Sequence, residues 1–139
     1  MGHTISVLVV DDDETLRTLL RGILEREGYS VATAESVQHA REMLGEGSFQ
    51  VVISDIKMPG ENGYDLLRFV KGRYPELGVI LMTGHGDLYS VKDAMLLGAD
   101  EYLNKPFKSF EIALMVERLY WRMRAGRATS HEPTRSESL

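Results

Sequence analysis

Five short strand-like segments recur along the chain, each followed by a stretch in which apolar residues return every three or four positions. The segments are Ile5 to Val10, Tyr29 to Ala34, Val51 to Asp55, Gly78 to Thr83 and Asp100 to Asn104. The first, third and fourth are nearly continuous apolar runs, the pattern of strands covered on both faces. Helices are expected over about Glu14 to Glu27, from a Ser36 cap to Leu44, and over Tyr64 to Tyr74, Asp87 to Leu97 and Ser109 to Arg124. Asp13 and Glu14 suit the positive end of the first helix, and Gly28, Gly45, Gly47 and Pro75 punctuate the ends. Such alternation defines an α/β domain, and right-handed crossovers then require a parallel sheet with helices on both faces.

At 139 residues the chain accommodates about one domain, expected over residues 1–125. From Gly126 the apolar periodicity stops, so residues 126–139 are expected to form a flexible tail. A net charge of −5 argues against non-specific nucleic-acid binding. With no Cys there is no disulfide, thiol nucleophile or cysteine metal site. Neither a leader nor a long apolar span is legible, which points to no membrane association and a cytoplasmic location.

The strand ends carry the chemistry. In a parallel sheet every carboxyl end points the same way, and open α/β sheets place ligands in the crevice beyond those ends. Asp11 and Asp12 follow the first strand, Asp55 ends the third, Thr83 ends the fourth and Lys105 follows the fifth. Alone, an Asp at such a junction would serve a turn or a helix cap. Together, the carboxylates repel one another unless a cation or proton joins them. An all-oxygen donor set with room for water suits Mg²⁺, leaving Lys105 and the Thr83 hydroxyl to meet an anion.

The segments VLVVDDD, VVISDIKMPGENGYDLL, VILMTGHGD and GADEYLNKPF, in this order and at strand ends, resemble the receiver domain of two-component response regulators. The likeness spans about Ser6 to Arg124, and TGHGD is similar to receivers of the nitrogen-regulation and nitrogen-fixation type. The resemblance implies a flavodoxin-like, doubly wound (βα)5 fold with strand order 2-1-3-4-5. It also implies roles. Asp55 matches the phosphoacceptor, Asp12 the direct metal ligand and Asp11 its neighbour, with the Lys57 backbone carbonyl as the remaining protein ligand. Thr83 and Lys105 match the groups that hold the phosphoryl oxygens, and Tyr102 matches the aromatic switch. Lys105-Pro106 matches a peptide that is usually cis in the family. His85 and Lys57 fall at positions associated with hydrolysis of the phosphorylated form.

The implied function is phosphoacceptance from a sensor histidine kinase or a histidine phosphotransfer protein, rather than turnover of a substrate as an enzyme. An ordinary Asp is ionised at neutral pH, so attack on phosphorus requires charge neutralisation and alignment rather than a general base. The alternative is an Mg²⁺-dependent phosphohydrolase of the haloacid dehalogenase type. Those enzymes place a second Asp two residues after the nucleophile, where this chain has Lys57. A nucleotide binder would require a Gly-rich loop after the first strand, which is absent. Tyr120, Trp121 and Met123 among Arg118, Arg122 and Arg124 make the face from Val91 to Arg124 a candidate dimer surface. The last helix is expected to pack through Phe110, Ala113, Leu114, Val116 and Leu119, and the preceding one through Val91, Ala94 and Met95.

Overall fold

A computed structural model of the chain describes residues 4–84 and 95–131. The elements in order are β1 (Ser6–Val10), α1 (Glu14–Arg26), β2 (Ser30–Ala34), α2 (Val37–Glu46), β3 (Val51–Asp55), α3 (Gly63–Arg73), β4 (Gly78–Thr83), β5 (Glu101–Asn104) and α4 (Ser109–His131). The five strands form one parallel sheet in the order β2-β1-β3-β4-β5. Most of the helix expected over 87–97 lies outside the described residues, as does His85; Met95 and Leu96 are helical.

Alternation along the strands builds two cores. Val7, Val9, Ile53, Ile80 and Met82 point to one face and pack with Leu20, Ile23 and Leu24 of α1 and Ile112, Val116 and Leu119 of α4. Leu8, Val10, Val52, Val79 and Leu81 point to the other face, against Val37, Ala40 and Leu44 of α2 and Leu66, Leu67 and Val70 of α3. A strand buried on both sides has no solvent face on which to put polar residues, which is why β1, β3 and β4 read as near-continuous apolar runs. Burial of these side chains contributes roughly 1.5–3 kcal/mol each before conformational entropy is subtracted.

Local signals place the helix starts. The Asp13 side chain accepts the Thr15 N–H at the head of α1, and Ser36 accepts the His39 N–H at the head of α2. Asn62 and Asp65 form a reciprocal capping box at the head of α3.

Three details depart from expectation. In α4, Phe110 and Leu114 are exposed, at 65% and 55%, while Ile112, Ala113, Val116, Leu119 and Tyr120 are buried. Two overlapping helical stripes run through this segment, and periodicity within the helix cannot choose between them; the sheet selects the one through Ile112 and Val116. Met95 is also exposed, whereas Ala99, just past the turn at Gly98 (φ 99°), is buried in the core. The last helix continues beyond Arg124 to His131, through the first part of the segment expected to be a tail. Backbone i→i−4 bonding needs no apolar partner, and a single Gly costs a helix only about 1 kcal/mol, so loss of periodicity did not locate the end.

One glycine is demanded by close approach. A Cβ on Gly63 would lie 2.5 Å from the Asp55 carbonyl oxygen and 2.8 Å from Ile56 Cα, both backbone atoms that cannot swing aside. Gly72, on the same helix, has open space around it. Gly63→Ala is therefore expected to destabilise the protein by about 1–3 kcal/mol, whereas Gly72→Ala should be neutral or stabilise it by up to about 1 kcal/mol. Urea unfolding of the two variants beside the parent checks the opposite signs.

Candidate functional site

The pairing of β1 with β3 sets Val10 opposite Ser54, so the chain leaves both strands at the same edge. Asp11 is 1% exposed, Asp55 is buried and Asp12 faces solvent. Carboxylate oxygens of these three residues lie within 4.8 Å of one another. Lys105, just past β5, places its Nζ 3.2 Å from Asp55 Oδ1 and 3.8 Å from Asp11 Oδ2. The Lys105-Pro106 peptide is cis, and the Lys105 N–H donates to the Thr83 carbonyl at 2.8 Å.

Thr83 is buried at the end of β4, next to β3 in the sheet. Tyr102 is half-buried and packs against the core on the α2 and α3 side. It pairs in register with Leu81, two residues before Thr83, and so shares the Thr83 face of the sheet. Lys57 is exposed in the loop after β3, between the buried Ile56 and Met58. The structure thus gathers Asp11, Asp12, Asp55 and Lys105 into one cluster, puts Thr83 at the same sheet edge, and sets Tyr102 further down the neighbouring strand.

The acidic loop is tightly tied. Asp11 Oδ1 accepts the Asp13 N–H at 2.8 Å, the Asp11 N–H donates to the Ala34 carbonyl at 3.1 Å, and Arg17 donates to the Asp11 carbonyl at 2.8 Å. Asp11 Oδ2 is different: it is buried and accepts no hydrogen bond among the described residues. Burial pushes the Asp11 carboxyl up to about 6. The Asp13 N–H opposes that shift, the Asp55 charge adds to it, Lys105 offsets part of it, and Asp12 adds a little more. A buried, under-satisfied carboxylate oxygen beside two other carboxylates is suited to a hard cation, and the oxygen-only donor set fits Mg²⁺.

Two further residues support the site. The Ser54 hydroxyl, wholly buried in β3, donates to the Asp55 carbonyl at 2.9 Å. The Gly63 backbone also approaches that carbonyl closely, its N–H donating to the Ile56 carbonyl at 2.8 Å. The sequence marked Ser54 as a small residue in an apolar run and nothing more. Arg17, six residues after Asp11, gave no signal of its contact, because its helical position alone does not say which way the guanidinium reaches.

The chain belongs to the response regulator receiver domain family, whose profile matches residues 7–117. It is 36% identical over 116 residues to the transcriptional regulatory protein FixJ of Bradyrhizobium diazoefficiens, covering 84% of this chain and 55% of FixJ. It is 42% identical over 112 residues to the DNA-binding transcriptional regulator NtrC of Escherichia coli, covering 81% of this chain and 24% of NtrC. Among solved structures, a receiver domain protein from Clostridium thermocellum superposes with a TM-score of 0.82 at 36% identity, over 87% of this chain and 98% of that one. NtrX from Brucella abortus in complex with ADP gives a TM-score of 0.87 at 32% identity, over 92% of this chain and 30% of NtrX. The chain therefore spans about a quarter to a half of the length of these curated relatives. The similarity to nitrogen-regulation receivers agrees with these matches, and the phosphohydrolase alternative is not favoured by them. Among the described residues no helix is long and apolar enough to cross a membrane.

The raised Asp11 carboxyl has a consequence for stability. Its folded value, about 6, lies above the ordinary 3.8, so the folded state holds the proton more tightly than the unfolded chain. Stability of the metal-free protein is thereby lowered as pH rises from about 4 to 6, and the penalty is complete above 6. Asp11→Asn keeps an acceptor for the Asp13 N–H without the charge. It is expected to raise the melting temperature in EDTA at pH 7.5 and to raise it less at pH 5. Calorimetry at the two pH values checks the difference.

Proposed function

We propose that Asp55 accepts a phosphoryl group from the phosphohistidine of a sensor histidine kinase or histidine phosphotransfer protein. The reading rests above all on one observation: Asp55 is held in a three-carboxylate cluster with the Lys105 ammonium 3.2 Å from its Oδ1. An Asp55 carboxylate oxygen attacks phosphorus, the P–N bond breaks, and the imidazole leaves with the bonding electron pair and takes up a proton. The side chains of Asp11, Asp12 and Asp55, with the Lys57 backbone carbonyl, would hold Mg²⁺. When bound, that ion supplies positive charge to the phosphoryl oxygens.

The protein's own groups do the rest. Lys105 neutralises charge on the transferred group and keeps its ammonium aimed at Asp55, and the buried Thr83 hydroxyl stands ready at the neighbouring strand end to donate to a phosphoryl oxygen. Drawing Thr83 toward the phosphoryl group vacates space on the sheet face it shares with Tyr102. Tyr102 then turns inward, which alters the surface around β5 and α4. The output is a change in protein contacts, with partners recognising that surface; this segment itself contributes neither nucleic-acid binding nor substrate turnover.

Incubation with Mg²⁺ and acetyl phosphate is expected to add one phosphoryl group by intact mass, in a base-labile form, and Asp55→Asn should abolish it. Thr83→Ala should still be phosphorylated while losing the phosphorylation-dependent change in partner binding. A parent chain unmodified by any donor, or a Thr83→Ala chain that responds in full, would overturn the corresponding step.

A further inference from the structure

Asp12 is the exposed member of the acidic cluster, so packing does not hold its side chain. Its place is set by the two peptide groups that flank it. The peptide after Asp12 is held by the Asp13 N–H, which donates to Asp11 Oδ1 at 2.8 Å. The peptide before it carries the Asp11 carbonyl, and the Arg17 guanidinium donates to that oxygen at 2.8 Å. Because a peptide is planar, fixing the oxygen fixes the plane from which the Asp12 Cα departs.

Arg17 is well placed for this. It lies in the first turns of α1, whose start is set by the Asp13 cap, and its own N–H bonds the Asp13 carbonyl at 3.0 Å. The Asp11 N–H in turn donates to the Ala34 carbonyl at the end of β2, at 3.1 Å. Arg17 therefore couples the start of α1 to the acidic loop at a point between β1 and β2.

We propose that Arg17 is a positioning residue for the cation site, its guanidinium orienting the Asp11–Asp12 peptide so that the Asp12 carboxylate meets the ion together with Asp11 and Asp55. This rests on the reading of those three carboxylates as the Mg²⁺ site. Two roles for Arg17 predict opposite results. If it acted only through its charge, it would repel a cation, and removing it would tighten Mg²⁺ binding. If it positions the ligand, removing it weakens binding in spite of the repulsion relieved.

The test is isothermal titration of the full chain with MgCl₂, with circular dichroism to verify folding. Arg17→Met is expected to weaken Mg²⁺ binding on the order of tenfold, the usual scale for loss of a group that orients a metal ligand. Arg17→Lys, which keeps the charge and a single donor, should fall between it and the parent. Arg21→Met serves as a control, since Arg21 pairs with Glu25 on the exposed side of α1; it should leave binding within about twofold of the parent, as expected for loss of an exposed pair. If Arg17→Met does not fold, Arg17→Gln and Arg17→Lys carry the comparison. Equal or tighter binding by the folded Arg17 variants would overturn the positioning role alone. No Mg²⁺ binding by the parent chain would overturn the reading of the site, and the proposal with it.

Discussion

Mutual repulsion among Asp11, Asp12 and Asp55 is the constraint to which the rest of the site answers. Three carboxylates whose oxygens lie within 4.8 Å of one another are held together by a sheet that could not easily place them apart. β1 and β3 are parallel neighbours buried on both faces, so the residues that leave them must emerge side by side. The core thus supplies the force that concentrates negative charge, since sliding either strand would drive apolar side chains out of two packed layers.

That stored repulsion is offset locally. Lys105 brings a positive charge from the far edge of the sheet, and the Asp13 N–H and the Arg17 guanidinium bond the Asp11 side chain and carbonyl. One oxygen, Asp11 Oδ2, accepts no hydrogen bond among the described residues, and its carboxyl rises to about 6 as burial disfavours the charge. An under-satisfied buried carboxylate of this kind favours a bound cation or proton over the bare charge, at the expense of stability without it.

Much of this was legible beforehand. Continuous apolar runs such as Val51 to Ile53 can be buried only in a sheet covered on both faces, and the polar residues that end them fall at one edge by the geometry of parallel strands alone. The third helix was likewise readable from Leu66, Leu67 and Val70, all buried. The last helix was less so: Phe110 and Leu114 fit a helical stripe as well as Ile112 and Val116 do, and both pairs are apolar. Its end was harder still, because the apolar periodicity stops at Gly126 while the backbone stays helical to His131.

The sequence by itself determined the alternation of strands and helices and which residues stand at strand ends, because those follow from periodicity and turn chemistry within a few neighbouring residues. Only the tertiary structure decided the phase of the last helix, the contact of Arg17 with the Asp11 carbonyl, the closure of Gly63 on the Asp55 backbone and the burial that raises Asp11. These depend on distances between segments far apart in the chain. The packing of two helical layers on a twisted sheet sets such distances, and no local pattern encodes them.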